Sequence, residues 1–197
     1  MEEQIFFTSG KLRMEGMIEN ASGTQGVVIT HPHPLYGGDM DNTVVLALRR
    51  AYLRRGFSTL RFNFRGVGES EGRFNNGVGE RQDVSAALGF LSGLGMTEID
   101  LAGYSFGAWV NAGLNAGFQR MVMVSPPVAY IEFAPPTPIP NLSLIVTGGR
   151  DDIAPARMIS THRAQWNPDA AFEVIPDADH FYTGLLKTLE DTLAAHI

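Results

Sequence analysis

Short apolar runs recur along the chain at 26–30, 58–64, 98–102, 120–125, 142–147 and 171–175, and helix-length segments at 43–54, 80–92, 106–116, 156–165 and 183–195 lie between or after them. That alternation constrains the fold more than any other feature. A strand, a helix and a further strand make a parallel pair, and a parallel sheet must be covered on both faces. Gly26-Val-Val-Ile-Thr30 is a short buried-strand run of this kind. Residues 4–8 and 12–19 read as two early strands around a Ser-Gly turn. The expectation is an α/β three-layer sandwich: a mostly parallel central sheet of about eight strands with helices on both faces.

The 197 residues suit one domain, 1–197. Residues 126–141 hold six prolines (Pro126, Pro127, Pro135, Pro136, Pro138 and Pro140), which block helix and central strand alike. An ordered loop or small edge structure is expected there, and no separate lid domain. The net charge of −6 argues against a nucleic-acid surface, which needs a basic stripe. Without cysteine the chain has no disulfide and no thiolate metal site. The start MEEQIFFTSG is acidic where a signal peptide is basic, and no apolar run reaches the length of a membrane span. A cytoplasmic protein with no membrane partner is expected; homodimerisation is left open.

Gly103-Tyr-Ser105-Phe-Gly107 follows an expected strand and precedes an expected helix. Glycine and serine also make ordinary loops, so the placement carries the argument. A serine on a sharp strand-to-helix turn projects its hydroxyl above the sheet, and flanking glycines keep side chains out of a crowded backbone. The helix that follows offers unpaired N–H groups, and that of Phe106 is placed to stabilise an oxyanion.

A serine nucleophile needs a base, and the base an orienting carboxylate. Three histidines follow Ser105: His162 within an expected helix, His196 beside the C-terminus, and His180 in the loop Pro176-Asp-Ala-Asp-His180-Phe-Tyr after the last strand. His180 is the candidate base. The acid is expected after the strand at 142–147, where Asp151 and Asp152 both stand. Either could instead cap the helix entered near Pro155. All three candidates lie just after strands, on the side of the sheet where α/β proteins build sites.

HPHPLYGGDMDN, NFRGVGES, GYSFGA, GxxD and DADHF together resemble the α/β-hydrolase superfamily, over nearly the whole chain. More closely, the sequence is similar to compact bacterial hydrolases related to dienelactone hydrolases and small esterases. The resemblance implies Ser105 as nucleophile and His180 as base. Its GxxDxxxP pattern falls on Gly148, Asp151 and Pro155, which favours Asp151 as the acid and leaves Asp152 as neighbour or cap. It also implies a second oxyanion N–H after a His-Gly pair. The position reads His33-Pro34-Leu35-Tyr36; Pro34 has no N–H, so Leu35 is expected, with Tyr36 second. His31, His33, Arg65 and Asp152 are expected at the site rim. The two histidines are read as shaping the oxyanion loop rather than holding a metal. Arg65 is read as contacting a substrate carboxylate or the loop, or as a structural salt bridge. Pocket candidates are Leu35, Tyr36, Phe64, Phe74, Phe106 and residues 126–136.

The expected activity is that of a serine hydrolase, a carboxylesterase acting on small or short-chain esters through an acyl-enzyme, with no cofactor. Thioester and amide hydrolysis use the same machinery. A lyase or perhydrolase reaction is a further reading. A non-catalytic binding protein of the same fold would show an occluded Ser105 or a broken Ser–His contact.

Overall fold

The computed structural model describes residues 1–133, 138–139 and 141–197. Eight strands form one sheet: β1 (Glu3–Ser9), β2 (Leu12–Glu19), β3 (Gln25–Thr30), β4 (Ser58–Phe62), β5 (Glu98–Tyr104), β6 (Met121–Val124), β7 (Leu142–Gly148) and β8 (Ala171–Ile175). Their spatial order is β1-β2-β4-β3-β5-β6-β7-β8. β1 and β2 pair antiparallel, as do β2 and β4, and every other pair is parallel. Five helices connect or follow the strands: α1 (Thr43–Arg54), α2 (Val78–Gly93), α3 (Phe106–Ala112), α4 (Ala156–Trp166) and α5 (Leu186–His196).

The side-chain alternation of each strand feeds two cores. In β3, Val27 and Ile29 join α1 and α5 on one face. Val28 between them joins the core under α2, α3 and α4 on the other. Central strands therefore read as unbroken apolar runs, because both faces are dry.

Two elements depart from expectation near the site. β4 stops at Phe62, short of the expected 64. One backbone bond to β2 remains beyond it, from Asn63 N–H to the Glu15 carbonyl at 2.9 Å, and the next N–H, that of Phe64, turns to a side chain, His31 Nε2 at 3.0 Å. α3 ends at Ala112, not 116, with Gly113 as its cap.

The strand order switches sense at β3: β4 lies on one side of it and β5 on the other, both parallel to it. The loops after β3 and β5 thus diverge and open a crevice at the C-terminal edge of the sheet, where such folds bind ligands. No helix among the described residues is long and apolar enough to cross a membrane. Of the proline-rich segment, Pro135, Pro136 and Pro140 lie outside the described residues.

Candidate active site

β5 delivers Tyr104 to the edge of the sheet, and α3 begins two residues later at Phe106. Ser105 between them has φ 52° and ψ −118°, a left-handed conformation that a non-glycine residue adopts only when its surroundings enforce it. The enforcement comes from close packing. A Cβ on Gly107 would stand 2.5 Å from Thr30 Oγ1 and 2.6 Å from the Thr30 carbonyl oxygen. One on Gly103 would stand 2.6 Å from Asn111 Nδ2. Both glycines let α3 press against the end of β3.

Ser105 Oγ lies 3.0 Å from His180 Nε2. His180 Nδ1 lies 2.9 and 3.0 Å from the two oxygens of Asp151. With Nδ1–H donating to the carboxylate, Nε2 is left as the acceptor for the serine hydroxyl. Ser105 is only 8% exposed but faces the cavity. The Tyr104 hydroxyl donates to the His180 carbonyl at 2.9 Å and fixes the loop that carries the imidazole.

Asp151 is buried at the end of β7, and Oδ1 accepts the N–H groups of Ile153 at 2.9 Å and Ala154 at 2.7 Å. Burial pushes the carboxyl up. The hydrogen bond and charge of His180, with the Ala154 N–H and the Ser125 hydroxyl, outweigh it and hold the group below the ordinary aspartate value. Ser125 is in turn 2.9 Å from the Tyr182 hydroxyl. Both residues are fully buried, and both have positive φ, 46° and 54°. Neither carried a signal in the sequence beyond its place after a strand.

Asp152 is exposed, and α4 has no side-chain cap, so Asp151 shapes its own turn instead. His162 stacks on Trp166, and His196 bonds to the Thr192 carbonyl, both away from Ser105.

The loop after β3 corrects two expectations. His31 is not at the rim: it is fully buried, Nδ1 bonds to the Pro32 carbonyl at 2.7 Å, and Nε2 accepts from Phe64 N–H. Burial, opposed by the bond to Pro32, lowers its pKa to about 4, so the ring is neutral. The N–H groups of Leu35 and Tyr36 are already used, on His33 Nδ1 at 3.2 Å and the His33 carbonyl at 3.1 Å. They close the short 3-10 turn Pro34–Tyr36 and are not free for an oxyanion. The N–H of His33 makes no hydrogen bond among the described residues, nor does that of Phe106. Arg65, just after β4, takes the structural salt-bridge reading: it grips Asp83 through two bonds of 3.0 and 2.8 Å and does not line the cavity.

The cavity above Ser105 encloses about 690 Å³. His33, Tyr36 and Phe106 line it as expected near the rim, with Pro127, Tyr130 and Ile131 from the proline-rich segment and Phe181 beside His180. Phe64 is core, and Phe74 packs behind His33 and Phe106. Residues 134–136 of the expected pocket segment lie outside the described residues. Among the described residues no cluster of three or more metal-ligating side chains is assembled.

No family model matches the chain. It is 35% identical over 198 residues to an uncharacterised protein of Rickettsia prowazekii, spanning 91% of this chain and 82% of that one. It is similar to the solved structure of an α/β serine hydrolase homologue from Coxiella burnetii, at 36% identity and a TM-score of 0.92, covering 99% and 97% of the two chains. A Xanthomonas campestris protein, described as an α/β serine hydrolase without a lid, matches at 26% identity and a TM-score of 0.90 over 99% and 93%.

Proposed function

The chain belongs to the α/β-hydrolase superfamily, and on that premise we propose that it is a serine hydrolase acting on carboxylic esters through an acyl-enzyme. One observation carries the reading: a strained Ser105 whose hydroxyl is 3.0 Å from His180 Nε2, with Asp151 behind the same ring. The Ser–His contact is intact and Ser105 faces a cavity, which favours catalysis over a binding role.

His180 takes the Ser105 proton as Oγ attacks the ester carbonyl carbon. Asp151 holds the Nδ1–H tautomer and stabilises the imidazolium. The N–H groups of Phe106 and His33 receive the oxyanion; Leu35 and Tyr36 support the loop that presents His33. His180 then protonates the leaving alkoxide, and water repeats the sequence on the acyl-enzyme. All described strands join one sheet, which supports one hydrolase domain over 1–197 without a separate lid domain.

The test is a fluorophosphonate probe with adduct mapping by peptide mass spectrometry. Ser105 is expected to be labelled, Ser105→Ala not at all, and His180→Ala at least ~10³-fold more slowly. Labelling that ignores His180 would refute the assignment.

A further inference from the structure

The walls of the cavity carry a second message. None of the described lining residues is Asp, Glu, Lys or Arg. The residues outside the described set are Ala134, Pro135, Pro136, Thr137 and Pro140, which bring no charge either. A substrate carboxylate bound here would lose its water and meet no cation.

Three rings stand at the mouth. Tyr36 comes from the loop after β3, Tyr130 from the loop after β6, and Phe181 from the turn after β8. They are 87%, 74% and 63% exposed. A single exposed aromatic residue is ordinary. Three from separate loops around one candidate nucleophile make an apolar rim that needs a reason. Deeper in, the His33 and Phe106 rings lie 4.6 Å apart between centroids, so the aromatic surface continues towards Ser105. Ring faces and edges attract other rings beyond what buried area supplies.

We propose that the substrate is an uncharged ester carrying an aromatic ring in its acyl or its alcohol part, the ring held among Tyr36, Tyr130 and Phe181. This rests on the serine-hydrolase reading above. The test measures kcat/KM of the full chain by proton release. Methyl 3-phenylpropanoate against methyl 3-cyclohexylpropanoate places the ring on the acyl side. 2-Phenylethyl acetate against 2-cyclohexylethyl acetate places it on the alcohol side. In each pair the ring is remote from the carbonyl, so intrinsic reactivity is matched. Cyclohexyl is the more apolar member, so a phenyl preference does not come from hydrophobicity.

A phenyl preference of roughly fivefold is expected in at least one pair. It should collapse, through KM rather than kcat, when Tyr36, Tyr130 and Phe181 are all replaced by Leu. Monomethyl glutarate, which is charged, should be at least ~100-fold poorer than either phenyl ester. Equal rates within both pairs, or ready turnover of monomethyl glutarate, overturns the proposal. Fluorophosphonate labelling keeps the two readings apart: a labelled Ser105 with no ring preference removes the substrate class alone, and an unlabelled one removes both.

Discussion

Asp151 is supported from several directions, and the least obvious support is Ser125. Its hydroxyl helps hold the carboxyl in its charged form while lying 2.9 Å from that of Tyr182. Burial pushes the Tyr182 hydroxyl pKa well up, so it keeps its proton, and that hydroxyl also lies 3.5 Å from the Val146 carbonyl oxygen. Ser125→Ala removes one donor from the carboxylate and leaves Tyr182 with its longer contact to the Val146 carbonyl. Ser125 is the weakest of these supports, so the kcat for ester hydrolysis is expected to fall about three- to fivefold, with KM little changed. Steady-state kinetics decide it: a kcat within a factor of two of the parent would reduce Ser125 to packing. Tyr182→Phe should give the same direction with a smaller loss, because Ser125 can still donate.

At the scale of elements, the join between β5 and α3 depends on contact with β3. The Cβ of Gly107→Ala would meet the carbonyl oxygens of Thr30 and His31 at 2.6 and 2.8 Å. Those are backbone atoms of a central strand and its exit, and they cannot swing aside. Stability is expected to fall by about 2–3 kcal/mol, seen as a lower urea midpoint, and ester hydrolysis should fall further still because the strain is released at Ser105. An unchanged midpoint with full activity would contradict the close packing. This join was legible because strand, Gly-x-Ser-x-Gly and helix are local in sequence; strand positions also placed Ser105, an acid at 151 or 152 and His180 in that order, and the family resemblance favoured Asp151. The loop after β3 was not. There the expectation ran past Pro34 to Leu35 and Tyr36, whose N–H groups instead close the turn back on His33. His31 is buried and accepts from Phe64 N–H, while His33 lines the cavity and its N–H makes no hydrogen bond among the described residues. Of the rim rings, Tyr36 and Tyr130 fell within the expected pocket; Phe181 was hidden, since it reaches the same cavity only when β8 is set in the sheet.

For the molecule as a whole, the buried His31 ties folding to pH. Its imidazole is fully buried, and its pKa is lowered from 6.5 to about 4, chiefly by burial. The unfolded chain therefore binds a proton at this residue in a range where the folded chain does not. Between those two values stability rises with pH, so its contribution is complete above about pH 6.5 and is lost as pH falls towards about 4. From pH 7.5 to 5 this amounts to about 2 kcal/mol. Urea unfolding at the two pH values measures it directly. His31→Gln keeps a polar side chain but does not titrate. Its stability should be lower at pH 7.5, where the bond from Phe64 N–H is weakened. Its further loss on going to pH 5 should be smaller than the parent's by about that same 2 kcal/mol. Equal losses in the two proteins would mean that His31 binds its proton in the folded state, which requires its contact with Phe64 N–H to open in mild acid. Activity would then disappear reversibly over the same interval, before the chain unfolds.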